Sequence, residues 1–275
     1  MVDVLTVLLA SVAAGLLGSL VGLGGGVVMI PILVLLGVPV KYAIAASMVT
    51  IIATSSGSAA SYVRDKIANI RAGMFLEMFT IVGAILGASI TSLIAEKVLY
   101  FVFAGILLTS FFALRSRPPP ETLPVVEQDR LAKALRLGGS YYDKSLGREV
   151  SYKMTRPLAG GIGMFVAGIA AGMLGIGAGA FKVSVHELIL KMPPKVSTTT
   201  SNFIIGITAL AGASVYFVSG LVYFDLAAPM LIGTTLGAVL GGRILNRIAS
   251  SSLRALFLVV LLLVLLEMVY KGFTV

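Results

Sequence analysis

Two glycine runs are the first residues here whose spacing suggests chemistry. Gly22-Leu-Gly-Gly-Gly26 and Gly175-Ile-Gly-Ala-Gly179 each interrupt a strongly apolar stretch, and they start 153 residues apart. Four and three glycines in five residues exceed what close helix packing requires. They let the backbone break and leave the N–H groups at the start of the next helical segment without partners. Those donors, at the positive end of a helix dipole, suit an anion. The expected binding groups are therefore Gly24, Gly25, Gly26 and Val27 in one half, and Gly177, Gly179 and Ala180 in the other. A phosphate or dinucleotide loop is a poor fit, because neither run follows a soluble strand or ends in Gly-Lys-Ser/Thr. The plainer role, helix packing, suits Gly83-xxx-Gly87 and Gly237-xxx-Gly241.

Polar residues follow the second run. Lys182 lies three residues beyond it, within an apolar segment, while its counterpart in the other half is the neutral Met29. Either Lys182 meets an anionic substrate, or it snorkels to an interface or pairs with Glu187. Ser197-Thr-Thr-Thr-Ser-Asn202 opens the next segment and corresponds to Ala45-Ala-Ser-Met48. Such hydroxyls often bond back to their own helix. Ser201 and Asn202, with Ser47 by symmetry, are the expected oxyanion donors, and Thr50, Thr54 and Ser55 are assigned to packing. His186 and Glu187 stand one turn past Lys182. A single histidine in a chain without cysteine makes a poor metal site, so no metal is expected and His186 is read as hydrogen-bonded structure near the inner mouth. Glu77 near an inner helix end and Glu267 near an outer one are placed where water can reach them. Proton coupling falls to Glu187, His186 or Glu77.

The elements that position these residues are apolar. The chain has 275 residues, 58% hydrophobic and 12% charged, with mean hydropathy +1.03. Several windows of 17 or more residues run almost without charge, as in transmembrane helices. The first, preceded by Asp3 and no basic stretch, is expected to belong to the mature protein. Apolar segments cover roughly 4–21, 26–37, 42–62, 73–95 and 98–114, then 158–174, 180–190, 197–217, 226–249 and 253–270. Segments 26–37 and 180–190 are too short to cross about 30 Å of hydrocarbon at about 1.5 Å per residue. They read as half-helices of a broken hairpin.

An offset of 154 pairs Pro39 with Pro193, Lys41 with Lys195, Ser47 with Ser201, Thr54 with Thr208 and Tyr62 with Tyr216. One offset over so much of the chain is an internal duplication. Basic residues then set the orientation. Arg64, Lys66 and Arg71, nine more from Arg115 to Arg156, and Lys191, Lys195, Arg243, Arg247 and Arg254 all fall inside if the central linker is cytoplasmic. The net charge of +9 is thus a topology signal, and no nucleic-acid partner is expected. Loop 63–72 then faces the cytoplasm, whereas its counterpart 218–225 has no basic residue and faces outside. The expected fold is an all-α polytopic membrane protein of two inverted repeats, each a glycine-broken re-entrant hairpin plus three transmembrane helices. The repeats are 1–115 and 158–275, with both termini outside. The linker, 116–157, is expected to hold an amphipathic helix from Val125 to Leu137, able to lie on the anionic inner leaflet, and a small β-hairpin between Tyr141 and Met154.

At these residues the chain resembles the TauE/SafE family of membrane transporters. The resemblance rests on Gly22-Leu-Gly-Gly-Gly26 with Pro31 and Gly37-Val-Pro39, and on Gly175-Ile-Gly-Ala-Gly179, Lys182-Val, Pro193-Pro-Lys195 and Thr200-Ser-Asn202-Phe-Ile. The linker's Gly139-Ser-Tyr-Tyr-Asp143 and Gly147-Arg-Glu149 also look like those of some members. Ala178 stands in for the usual middle glycine, and Ser184-Val-His-Glu187 replaces a mostly apolar stretch. The resemblance implies movement of sulfite, sulfonate or a related small anion across the cell inner membrane. The residues and the resemblance together predict a secondary transporter working by alternating access, without cofactor or enzymatic activity. It would bind a small anion, with a proton or sodium ion as a possible coupling partner and the bilayer as its setting. An anion channel, a carrier of small organic carboxylates, or a membrane enzyme or sensor acting through the linker are the alternatives. The anion, the direction of flux, the coupling ion and the oligomeric state are open at this level.

Overall fold

Glycine and proline set the element boundaries. The computed structural model describes residues 4–21, 25–64, 66–115, 127–143, 147–245 and 250–274. The first half contains α1 (Val4–Val21), α2 (Gly26–Leu35), α3 (Val40–Arg64), α4 (Ile70–Leu93) and α5 (Glu96–Arg115). The linker holds α6 (Arg130–Ala134), β1 (Gly139–Asp143) and β2 (Arg148–Tyr152). The second half contains α7 (Pro157–Leu174), α8 (Gly179–Leu188), α9 (Pro194–Val218), α10 (Phe224–Leu245) and α11 (Ser250–Thr274). Pro157 and Pro194 open their helices, where a missing N–H costs nothing. Gly175, at φ 62°, closes α7 in the left-handed conformation. Helices α2 and α8 have 10 residues each, about 15 Å of rise, half a hydrocarbon core.

Among the described residues, α4, α7 and α9 are long and apolar enough to cross a membrane. Shorter apolar stretches occupy Val4–Gly18, Val40–Ser56 and Phe224–Leu240. Leu9, Met78, Leu86, Ile162, Leu210 and Leu263 project outward and are exposed, an apolar face that suits lipid.

The halves interlock. Helix α1 packs along α10, α4 along α7, and α3 crosses α9. Small residues permit the closeness. A Cβ on Gly83 would overlap the carbonyl oxygen of Phe165, one on Gly168 that of Thr80, and one on Gly172 that of Ala84. The α1–α10 seam uses the same device, with Gly15 against the Thr234 carbonyl and Gly237 against the Val12 carbonyl.

Two ends can be told apart by their contacts. At one, Asn69 in the α3–α4 connection donates from Nδ2 to the Leu137 carbonyl at 2.7 Å and to the Tyr152 hydroxyl at 2.9 Å. Its Oδ1 accepts from the Ala72 amide at 3.0 Å and so caps α4, while its own amide donates to Thr200 Oγ1 at 2.9 Å. One asparagine thereby ties linker, α4 and α9. Ala132, Leu137, Tyr141, Val150 and Met154 of the linker join Ala72, Leu76, Val185, Leu190 and Val196 in one apolar cluster beneath it. At the other end Lys41 donates to the Ser92 carbonyl at 3.1 Å, and the Tyr42 and Tyr223 rings meet at a tilt of 36° with centroids 4.6 Å apart.

The linker departs from its expected form in one respect. Strands β1 and β2 pair antiparallel, Tyr141 opposite Val150. Of the helix expected from Val125 to Leu137, residues 125 and 126 lie outside the described residues, and within 127–137 only α6 is helical, since residues 127–129 are not. The Asp129 side chain accepts from the Ala132 amide at 2.8 Å, which starts the helix there, and Arg136 at φ 50° prevents its continuation. Ala132 of α6 is buried in the cluster beneath α4 and α9, so this face of the short helix meets protein.

Candidate functional site

The described end of the first glycine run, Gly25 and Gly26, meets the second run beside the α3–α9 contact. Gly26 opens α2 so close to the other run that a Cβ there would stand 2.5 Å from the Gly175 carbonyl oxygen. Gly175 and Gly177 take φ 62° and 66°, and Ala178 follows at φ 47°, a left-handed conformation that costs a side-chain-bearing residue about 1–2 kcal/mol. The N-caps of α2 and α8 are Gly25 and Ala178, and neither provides a side-chain cap. Intrahelical bonding starts only with the Met29 amide on the Gly25 carbonyl and the Lys182 amide on the Ala178 carbonyl. The amides of Gly26 and Val27, and of Gly179 and Ala180, therefore precede the first bonded turn. Gly25, Gly26, Val27, Gly177 and Gly179 are buried. Gly24 lies outside the described residues.

The expected hydroxyl donors are turned toward this backbone. Ser47 Oγ donates to the carbonyls of Ile44 and Gly175, at 2.8 and 2.7 Å, so its one proton is committed within the protein. In this structure the hydroxyl pins the glycine run. Ser201 Oγ faces the Gly179 carbonyl at 3.5 Å. Asn202 is buried, and its backbone carbonyl accepts from Ser55 Oγ at 2.7 Å, joining α3 to α9. Thr50 and Thr54 bond to their own helix, as packing residues do.

Lys182 has the partner that the sequence did not identify. Its Nζ donates to Thr208 Oγ1 on α9, and that hydroxyl donates to Glu77 Oε1 on α4 at 2.5 Å. Nζ also stands 3.7 Å from Glu77 Oε2. Lysine and glutamate are 0% and 1% exposed, so Glu77 is not where water reaches it, and the pairing of Lys182 is with Glu77 rather than Glu187. The reason is geometric: α4 lies along α9, and Leu76 and Thr80 on either side of Glu77 are buried too. Glu187 is half-buried. His186, on the same face of α8 as Lys182, is fully buried, with Nδ1 at 3.3 Å from the Ser197 carbonyl. Among the described residues no hydrogen-bond partner meets its Nε2.

Met29, the counterpart of Lys182, accepts a long contact of 3.7 Å from Ser11 Oγ and sees no charge there. The cluster around Lys182, which draws Glu77 from the first half, thus has no counterpart around Met29 among the described residues. Sequence reasoning missed Thr208, which bridges the cluster, and Asn69, which ties the linker to α4 and α9. Thr208 was visible as the repeat partner of Thr54 but carried no sign of bridging a charge pair. Asn69 precedes a helix in the manner of an N-cap, a signal that would have found it.

Comparison with known proteins is consistent over the whole length. The family model for the sulfite exporter TauE/SafE matches residues 7–268. The probable membrane transporter protein YunE of Bacillus subtilis (strain 168) is 27% identical over 269 residues, 94% of each chain. The probable membrane transporter protein YdhB of the same organism is 27% identical over 241 residues, covering 87% of this chain and 89% of its own. No solved structure matches. With a match running through both glycine runs, the linker and the Lys182 cluster, this chain belongs to the sulfite exporter TauE/SafE family.

Proposed function

We propose that the protein is a secondary transporter that moves a small sulfur-containing anion, such as sulfite or an organosulfonate, across the cytoplasmic membrane by alternating access. The observation that carries this reading is Lys182: a buried cation in the first turn of a half-helix whose N-terminus has no side-chain cap. Buried charge within apolar helices is expensive and marks substrate or ion sites. The uncapped starts of α2 and α8, the facing glycine runs and the Lys182 ammonium would together bind the anion's oxygens. Both relatives are named as probable membrane transporters, and the family takes its name from sulfite export.

Inverted repeats are the architecture this transport would use. In support, α1 meets α10 while α4 meets α7, an exchange in which the first helix of each half packs on the fourth of the other. The connection 64–70 joins the linker end through Asn69, whereas its counterpart near Tyr223 lies at the opposite end beside Tyr42. Rocking of one half against the other would then expose the glycine runs to each side in turn.

The test is thermal-shift binding on purified protein with sulfite, sulfate, thiosulfate, taurine, methanesulfonate, sulfoacetate and acetate. A ligand at 100 times its Kd adds about 2.7 kcal/mol to stability. Stabilisation by a sulfur anion, lost in Lys182→Ala, is the expected outcome. A response to acetate alone, or to nothing, overturns the substrate class. Counterflow in liposomes tests the mechanism, because a carrier shows trans-stimulation and a channel does not.

A further inference from the structure

We propose that Glu77 and the substrate anion compete for Lys182, and that Glu77 gives way by taking up one proton, so the protein couples one proton to each singly charged anion. This rests on the anion-transport reading above and adds the coupling ion, its stoichiometry and the charge of the substrate.

The geometry is that of a replaceable partner. Glu77, Lys182 and Thr208 come from three different helices, α4, α8 and α9, so the pair is held together only by the way these helices meet. Thr208 is the hinge of the arrangement: its hydroxyl accepts the hydrogen bond from Lys182 and donates one to Glu77 Oε1. Glu77 Oε2 reaches the ammonium only at 3.7 Å and has no hydrogen-bond partner among the described residues. One carboxylate oxygen is therefore bonded through a hydroxyl and the other is not hydrogen-bonded at all. A sulfonate oxygen arriving from the start of α8 can take up the ammonium and the Thr208 hydroxyl together.

Charge then dictates the proton. With Lys182 protonated and Glu77 ionised the cluster is neutral, one ammonium against one carboxylate, the two side chains 0% and 1% exposed. If an anion joins Lys182 while Glu77 stays ionised, the buried cluster becomes net negative, which apolar surroundings oppose. If the released carboxylate binds a proton, forming one O–H bond on an Oε atom, the cluster stays neutral with a singly charged anion. Discharge of the anion on the other side returns Lys182 to Glu77 and expels the same proton. One anion and one proton cross together, and no net charge moves. A doubly charged anion would leave the cluster net negative even so, and is selected against.

The groups around Glu77 leave it this task. On α8 they are Lys182, His186 and Glu187; α7 has no titratable side chain; α9 has Lys195 near its start and Tyr216 toward its end. Arg71 stands at the start of α4, and α3 has titratable groups only near its ends, at Lys41, Tyr42, Tyr62 and Arg64. Of these, Lys182 forms the ion pair with the Glu77 carboxylate.

The deciding experiment uses methanesulfonate, whose charge does not change with pH. It is added to weakly buffered wild-type protein, and binding and proton uptake are measured together. The expected result is one proton taken up per anion bound, with affinity falling about tenfold per unit rise in pH while Glu77 is ionised. Glu77→Gln should bind with no proton uptake and no such pH dependence, and its flux in liposomes should build a membrane potential where the wild type builds none. Should that variant not fold, the wild-type proton count decides by itself. Binding of methanesulfonate without proton uptake overturns this proposal and leaves the transport reading standing. Binding of sulfate or thiosulfate but not methanesulfonate overturns the charge rule. Failure of every sulfur anion overturns the transport reading and this proposal with it.

Discussion

Position 182 is a lysine in one half of the chain where position 29 is a methionine in the other, and the surroundings have followed. Glu77 on α4 answers the lysine, while its counterpart by the 154-residue offset, on α10, is Leu231. The pair can therefore be rewritten in the protein's own terms. Lys182→Met alone leaves a buried carboxylate without its cation and should lower stability by about 3–5 kcal/mol. Lys182→Met with Glu77→Leu should recover the wild-type melting temperature or exceed it while abolishing anion binding; thermal unfolding with and without ligand checks both. Ala178 offers a second test at this scale. Its φ of 47° is one that glycine takes without strain. Ala178→Gly should raise stability by up to about 1 kcal/mol, the relief of strain less the entropy that glycine adds to the unfolded chain. The sequence revealed Lys182 because a charge within an apolar segment is conspicuous. It did not reveal Glu77 as the partner, since 105 residues separate them and nothing local records that α4 lies along α9. The Ser47 hydroxyl shows the same limit: residue type says that it donates, and only the fold says that the acceptor is Gly175.

The helices themselves were largely legible. Apolar run lengths, Pro157, Pro194 and the glycine runs mark where backbone hydrogen bonding must begin or stop, and those boundaries depend on nearby residues alone. Helix α6 was not, because a short amphipathic pattern reads alike whether it ends against lipid or against protein. The seams between helices give the sharpest test at this scale. Gly237→Val forces a branched side chain against the Val12 carbonyl and should cost at least about 1–3 kcal/mol through overpacking. Gly105→Ala on α5 meets nothing within 4 Å and should be neutral or stabilising by up to about 1 kcal/mol, since alanine is the better helix former. Equal effects of the two on unfolding midpoint would show that the α1–α10 seam is not closely packed.

At the scale of the whole molecule, the two ends face different compartments in the reading given above, and the chain, free of cysteine, is suited to test it. A single cysteine at Tyr223→Cys should react with a membrane-impermeant maleimide in intact cells. One at Arg148→Cys, in the hairpin beneath Asn69, should react only after permeabilisation. The reversed pattern would invert the orientation. The exchange of helices between halves also has a consequence for synthesis. The seam of α4 with α7 can close once about 80 further residues have been made, but the ridge of α1 around Gly15 waits for Thr234 on α10. At about 5–20 residues per second that wait is on the order of ten to forty-five seconds. On the reading of α1 as a membrane helix, a nascent α1 would for that interval keep its glycine ridge facing lipid. The seams of this protein therefore close from its middle outward, and the helix made first is among the last to find its place.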